Sequence, residues 1–155
     1  MMIIKAEMDD LPAILALQKL CYQSEAQLVN DFSIPPLKQT LEGITEDFHT
    51  GSILKAVKHD KTDDIIGSVR GRLCGNTLYI GRLIVHPACQ NQGIGTRLLL
   101  GIEDLFPDAR YELFTSDRSS KNLSLYIKNG YKEFKREALN EVVNLVFLEK
   151  FANNS

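Results

Sequence analysis

The 155-residue chain has no tryptophan and only three cysteines, which are too far apart for the common cysteine-based sites. Cys21, Cys74 and Cys89 form no Cys-x-x-Cys pair, and their number is odd. A disulfide framework needs pairs of cysteines, and a zinc site needs closely spaced ligands. We therefore expect free thiols, no metal, and the reducing environment of the cytoplasm.

Long apolar runs and an excess of one charge are also missing. No apolar run reaches the roughly 18 residues of a membrane-spanning helix, and the first residues, MMIIKAEMDD, turn acidic too early for a secretory signal. The formal net charge of −2 differs from the basic surface that nucleic-acid binding usually requires. We expect neither a membrane nor a nucleic-acid partner. The length predicts one domain, residues 1–155.

Apolar periodicity and chain breakers predict an α/β domain of order βααβββαβαββ, whose sheet mixes both kinds of strand pairing. Strands are predicted at 2–7, 52–59, 65–73, 77–85, 111–115, 131–138 and 142–150, with a loop at 60–64 and a turn at Gly75-Asn76. Helices are predicted from the region of Asp9 to about residue 23, over 37–50, from the glycine pair at 93 and 95 to about Phe106, and over 121–129. Residues 24–36 are expected to be irregular. The third helix is expected to bury Leu98, Leu99, Ile102 and Leu105.

Two glycines one residue apart, Gly93 and Gly95, lie where a predicted strand gives way to a helix. A helix N-terminus carries free N–H groups and a partial positive charge, and glycine lets a bulky anion approach the backbone. Residues 90–96 therefore suggest a pyrophosphate cradle of main-chain amides, with the Thr96 hydroxyl as an additional donor. Glycines that only permit a turn or tight packing are the alternative.

Three phosphate ligands compete for such a cradle. A P-loop requires a lysine after its last glycine, and the sequence has none there. A dinucleotide fingerprint requires a third glycine or alanine, but that position is Leu98. Coenzyme A, which also carries a pyrophosphate, is the third candidate.

Two segments resemble motifs of the GNAT N-acetyltransferase superfamily. VHPACQNQGIGTRLL (85–99) is similar to its acetyl-CoA motif, Val-x-Pro followed by Arg/Gln-x-x-Gly-x-Gly/Ala, with Gln90 where arginine is more common. LYIKNGYKEF (125–134) resembles the family's Leu-Tyr-x-Lys-x-Gly-Phe/Tyr segment. Both stand in the family's order and at its usual separation. The resemblance implies the GNAT acyl-CoA N-acyltransferase fold, a mixed, mostly antiparallel sheet flanked by four helices.

The resemblance also implies an activity: transfer of an acetyl group from acetyl-CoA, the co-substrate, to a primary amine by direct attack in a ternary complex. The strand at Leu83 would splay from its neighbour, pair with the acyl-pantetheine and hold the thioester carbonyl through a main-chain N–H. Tyr126 would protonate the departing thiolate, unless it is only a half-buried aromatic residue. The implied CoA-binding residues are Leu83, Ile84, Val85, Gln90, Asn91, Gln92, Gly93, Ile94, Gly95, Thr96, Asn122 and Tyr126.

The chain departs from the family pattern at Ser119, where many members have asparagine. Asn122 lies one helical turn later. It either contacts CoA in place of that asparagine or is a solvated helix residue.

The sequence offers several candidates for the general base and for the acceptor groove. No glutamate lies on strand 77–85, where several family members have one; its polar candidates are Tyr79, Arg82 and His86. His86 is either a base or a surface residue. Glu25 and Asp31, in the segment expected to be irregular, would border the acceptor groove or be solvated.

The acceptor itself is suggested by charge. Residues 24–50 are acid-rich, with Lys38 as the only basic residue, which favours a small cationic amine such as a polyamine or an amino sugar. Solubility alone also explains an acidic helix face. An acyl-CoA-binding sensor without turnover and a protein or peptide acetyltransferase are the alternative functions. Dimers are common in this fold, so a homodimer is a further expectation.

Overall fold

The computed structural model describes residues 1–58 and 64–152, and its strands form one seven-stranded sheet in the order β1-β2-β3-β4-β5-β7-β6. Neighbouring strands are antiparallel except for β4 and β5, which are parallel. The strands are β1 (Met2–Lys5), β2 (Ser52–Val57), β3 (Ile65–Cys74), β4 (Thr77–Val85), β5 (Arg110–Ser116), β6 (Lys132–Ala138) and β7 (Asn144–Phe151). The predicted mixed, mostly antiparallel sheet is confirmed. The predicted loop at 60–64 and the predicted end of β2 at His59 lie almost wholly outside the described residues.

Four helices match the predicted ones, and a single extra turn lies between the first two. The helices are α1 (Leu11–Val29), α2 (Pro35–Lys38), α3 (Leu41–Thr50), α4 (Ile94–Asp104) and α5 (Ser120–Lys128). The predicted helix 37–50 is divided because Gln39 is extended, and Thr40 then caps α3 by accepting a hydrogen bond from the Gly43 amide at 3.1 Å. In the described part of the chain, no helix is both long and apolar enough to cross a membrane.

The first helix is longer than predicted, and this moves Glu25. Helix α1 continues to Val29 because Ala26 and Val29 extend its buried stripe, and it ends at Asn30, whose φ of 54° is left-handed. The prediction that residues 24–36 are irregular is therefore wrong for 24–29, and also for residues 35 and 36, which begin α2. Glu25 therefore lies on helix α1 and not in a loop.

The core lies on both faces of the sheet. Helix α4 buries Leu98, Leu99 and Ile102 completely against one face, each contributing about 1.5–3 kcal/mol. Helices α1 and α3 cover the other face through Ile14 and Ile44. The prediction for Leu105 is wrong: α4 ends at Asp104, and Leu105 is 37% exposed.

Candidate functional site

Strands β4 and β5 separate after a short paired section. Their register covers only Thr77–Tyr79 of β4 against Arg110–Glu112 of β5, although both strands continue. The β4 edge beyond Tyr79 therefore faces an opening rather than a neighbouring strand, and an unpaired edge offers free N–H and C=O groups to an extended ligand. The predicted separation of residues 83–85 from the next strand is confirmed.

A bulge on the other side of β4 adds to this opening. Ser68 of β3 pairs with Ile84, but Arg70 pairs with Gly81, so two β4 residues, Arg82 and Leu83, stand opposite one β3 residue. Arg82 has a φ of 51°, a left-handed conformation that costs a residue other than glycine about 1–3 kcal/mol. Bulges of this kind occur next to active sites, where they redirect side chains.

The N-terminus of α4 carries a row of unpaired amides at the mouth of the opening. Gly93 caps the helix with a φ of 79°, Asn91 is also left-handed, and the first helical hydrogen bond runs from the Arg97 amide to the Gly93 carbonyl at 3.1 Å. Within the described chain, the amides of residues 90–96 donate to no protein acceptor. Successive free amides in such a turn form an anion-binding concavity.

The two glycines of this turn have different surroundings. A Cβ on Gly93 would meet nothing within 4 Å, so this position faces open space. A Cβ on Gly95 would lie 3.5 Å from Leu125 Cδ2 and 3.8 Å from Val85 Cγ2, which is ordinary contact. Gly95 thus brings α4 close to α5, and Gly93 leaves the approach to the amides clear.

Tyr126 lies on α5 and is buried, not half-buried, with only 7% of its surface exposed. Burial raises the pKa of its hydroxyl well above the usual range, and Tyr22 and Glu25 raise it further. The hydroxyl therefore keeps its proton at any physiological pH, which is the state that a proton donor needs. Its ring lies 6.1 Å from that of Tyr131.

A carboxylate connects α1 to the start of α5. Glu25 Oε1 accepts hydrogen bonds from the Ser119 hydroxyl at 2.8 Å and from the Asn122 amide nitrogen at 2.9 Å, and that nitrogen also lies 3.3 Å from Thr115 Oγ1. The alternative that Asn122 is simply solvated is therefore wrong. Ser119, which departs from the family pattern, is 3% exposed and shares the same carboxylate.

The sequence profile of the acetyltransferase (GNAT) domain matches residues 51–133, more than half of the chain. The chain belongs to the GNAT acetyltransferase family. The predicted family and fold are confirmed. A Bacillus subtilis (strain 168) relative, UPF0157 protein YqkA, is 29% identical over 121 residues, which are 77% of this chain but 34% of that protein. The GNAT chain thus spans about a third of its curated relative.

Solved structures share the whole fold at low sequence identity. PaiA N-acetyltransferase from Thermoplasma acidophilum, in complex with coenzyme A, has a TM-score of 0.78 at 19% identity, covering 97% of this chain and 98% of that one. The ribosomal-protein-S18-alanine N-acetyltransferase from Escherichia coli has a TM-score of 0.79 at 13% identity, covering 99% and 95%. Identities this low establish the fold alone.

The GNAT motif position that usually holds arginine has a lysine nearby. Gln90 Oε1 accepts a hydrogen bond from Lys121 Nζ at 2.5 Å, and Gln90 Nε2 lies 3.4 Å from the Val85 carbonyl oxygen. Lys121 is on the first turn of α5. A positive charge therefore stands beside the α4 amides although the motif residue itself is neutral.

Three predicted acceptor-side residues have contacts that do not involve Tyr126. Asp31 is exposed and bound to Ser33 by hydrogen bonds of 2.6 and 2.8 Å, which lower the pKa of its carboxyl. His86 Nδ1 accepts from the Ala88 amide at 3.0 Å and so caps the short turn after β4. Tyr79 is 41% exposed, within the section of β4 that pairs with β5. None of the contacts among the described residues joins these side chains to Tyr126.

Sequence analysis missed a buried polar cluster on the α1 side of the sheet. Arg70 donates to Asp47 Oδ2 and Gln39 Oε1, each at 2.8 Å, and also to Gln18, which is fully buried on α1. Burial lowers the pKa of Arg70 to about 10, while Asp47 opposes that effect. The available signal was a charged residue in the middle of an apolar strand, IIGSVRGRL.

Proposed function

We propose that this GNAT protein transfers an acetyl group from acetyl-CoA to the primary amine of a small cationic metabolite, by direct attack in a ternary complex. The observation that carries the proposal is the row of free amides over residues 90–96, next to an open β4 edge. That PaiA, which shares the fold, holds coenzyme A supports the same ligand here. We also propose that residues 1–155 form one domain, since strands from both ends of the chain belong to one sheet.

The cofactor would lie along α4 and β4. Amides of residues 90–96 and the Thr96 hydroxyl would bind the pyrophosphate, and Lys121 would add a cation beside it. The pantetheine would pair with the free β4 edge at residues 83–85. A main-chain N–H near Leu83 would then hold the thioester carbonyl and its developing negative charge.

The chemistry needs one proton donor and one site for the amine. The ammonium group first loses a proton to solvent, and the neutral nitrogen then attacks the thioester carbon, so that a C–N bond forms and the C–S bond breaks. The thiolate takes a proton from the Tyr126 hydroxyl, which is protonated at physiological pH. The second proton that the nitrogen loses also passes to solvent, from which the Tyr126 hydroxyl is later reprotonated. Glu25 supports a cationic amine: its Oε1 already accepts two hydrogen bonds, while Oε2 has further acceptor capacity for an ammonium group.

The other carboxylates of the acid-rich segment do not strengthen the case for a cationic acceptor. Asp47 is bound to Arg70, and Asp31 is bound to Ser33. Glu42 and Glu46 are exposed on α3. The preference for a cationic amine therefore rests on Glu25.

Two glycine substitutions test the cradle. Gly93→Ala and Gly75→Ala both place a Cβ in open space at a left-handed residue, with φ of 79° and 63° respectively, so both carry the same backbone cost of about 1–2 kcal/mol. Gly75 lies in the β3–β4 turn. We expect calorimetry to show acetyl-CoA affinity reduced about tenfold or more by Gly93→Ala and unchanged by Gly75→Ala. Equal affinities in the two folded variants would contradict the cradle.

A panel of amines, read by release of free CoA, tests turnover. We expect release with small amines that carry an ammonium group at neutral pH, zwitterions included, and a lower rate with weakly basic amines that carry none. Binding of acetyl-CoA without release for any acceptor would instead indicate a sensor. Acetylated proteins found by mass spectrometry after incubation with extract, with no small acceptor, would instead indicate a protein acetyltransferase.

A further inference from the structure

Arg82 lacks the ion-pair partners that two other arginines of the sheet have. Arg110 is bound by Glu112 at 2.8 Å and Glu149 at 2.9 Å, and Arg70 by Asp47 at 2.8 Å. Arg82 forms no such ion pair with a described residue, and its Nε atom, like that of Arg70, is buried without a hydrogen-bond partner. A half-buried guanidinium in this state loses solvation without gaining a protein anion.

The bulge in β4 directs this cation toward α1. Arg82 is the left-handed residue of the bulge, and its charge acts on two groups of the α1 side, Tyr22 and Arg70. It adds to the lowering of the Arg70 pKa, as expected of a second cation nearby. Two close cations repel each other, and an anion bound beside them would offset that repulsion.

A carboxylate of the protein lies near the same place. Burial raises the pKa of Tyr22, Arg82 opposes that rise, and Glu25 adds to it. Tyr22 is therefore within electrostatic reach of both a guanidinium and a carboxylate. Glu25 also acts on Tyr126, so this carboxylate is within electrostatic reach of the proposed proton donor as well.

We propose that Arg82 binds a carboxylate group of the acceptor, so that the substrate is an amine that also carries a carboxylate, such as an amino acid, with its ammonium group toward Glu25. This rests on the proposed acetyl transfer and narrows its acceptor. The guanidinium fork matches a carboxylate in a bidentate way. The left-handed conformation at residue 82 would direct the guanidinium toward the acceptor, while the β4 edge at residues 83–85 would bind the acyl-pantetheine.

Matched acceptors test this directly. L-Lysine and L-alanine are compared with lysinamide and alaninamide, which keep the amine and lose the carboxylate, in the wild type, Arg82→Gln, Arg82→Lys and Arg72→Gln. Arg72 is exposed on β3 and controls for the loss of one positive charge. We expect the wild type to favour acids over amides, and Arg82→Gln to raise KM for acids about 10- to 100-fold without changing KM for amides. Arg82→Lys should be intermediate, and Arg72→Gln unchanged.

Product binding gives a readout that does not need turnover. N-acetyl-L-lysine, N-acetyl-L-alanine and their amides are titrated calorimetrically into CoA-saturated protein, with melting temperature as the folding control. Tighter binding of the acids that is lost in Arg82→Gln supports the inference, even if no amine releases CoA and the proposed turnover fails. Equal binding or equal rates for acids and amides in the wild type overturn it, even if acetyl transfer is observed. Absence of any product binding overturns it as well.

Discussion

Tyr126 and Tyr131 form a matched pair of tyrosine-to-phenylalanine substitutions that separates catalysis from stability. Both side chains are buried, at 7% and 2% exposure, and their rings lie 6.1 Å apart. Their hydroxyls differ. The Tyr131 hydroxyl donates a hydrogen bond to Glu103 Oε2 at 2.8 Å, whereas no hydrogen bond contributes to the raised pKa of Tyr126.

Of the two substitutions, Tyr131→Phe should therefore lower the free energy of unfolding more. Removing its hydroxyl leaves the buried Glu103 carboxylate without a charge-assisted hydrogen bond, which costs about 1.5–3 kcal/mol. Lys150 Nζ, 2.8 Å from Glu103 Oε1, is then the remaining partner of that carboxylate. In a domain of this size the loss lowers the melting temperature by about 3–12 °C. Tyr126→Phe removes no hydrogen bond to a described residue, so its melting temperature should stay within about 3 °C.

Tyr126→Phe, in contrast, should lower the rate of catalysis more than Tyr131→Phe. A positioned general acid contributes about 10²- to 10⁴-fold, so Tyr126→Phe should lower kcat by that factor, with acetyl-CoA affinity retained. Tyr131→Phe should keep kcat within a few-fold of the wild type. Both variants are assayed for CoA release at saturating acetyl-CoA, alongside thermal unfolding. Wild-type kcat in folded Tyr126→Phe would refute the role of proton donor, as would equal kcat losses in both variants.

Two further predictions concern the ionisation of these tyrosines and the role of Glu25. Burial raises the pKa of Tyr126 and of Tyr131 above the ordinary value of 10.0. Above about pH 10 the unfolded chain therefore loses these two protons while the folded chain keeps them. The free energy of unfolding should then fall, by up to about 1.4 kcal/mol per pH unit for each tyrosine. Denaturant titrations at pH 8 to 11 measure this, and a constant free energy would contradict it. Glu25→Gln keeps an oxygen for Ser119 and Asn122, so the fold should survive, while KM for cationic amines should rise about tenfold in steady-state assays; an unchanged KM would remove Glu25 from the acceptor site.

The parts of the fold that sequence predicted well are those with local signals. The Gly75-Asn76 turn lies where predicted, with Gly75 at a φ of 63°, because a tight hairpin demands this conformation from a small residue. Helix α4 begins at Ile94, directly after the left-handed Gly93, as the glycine pair indicated. In both cases a few adjacent residues determine the backbone, so one sequence suffices.

The parts that sequence missed depend on contacts between distant residues. Glu25 and Ser119 are 94 positions apart, and neither residue's neighbours indicate the hydrogen bond between them. The extension of α1 is similar: only half of residues 24–29 are apolar, and tertiary burial of Ala26 and Val29 stabilises the helix there. Arg82 appeared as one polar candidate among three, since a bulge that pairs two residues with one leaves no sign in the sequence of β4 alone.

The bulge accounts for two properties of β4 through one extra residue. A regular strand alternates its side chains, so residues 82 and 84 would share a face, and 83 and 85 the other. Because Arg82 and Leu83 together oppose a single β3 residue, β4 can turn while Ile84 still pairs with Ser68. The edge at residues 83–85 is left to the opening beside β5, and Arg82 is left with its charge on the α1 side. If the strain at Arg82 served only the opening, glycine would serve better at this φ. Under the proposed recognition, the acceptor carboxylate is the anion within reach of this long cation, and the bulge would then connect the opening for the thioester with binding of the acceptor.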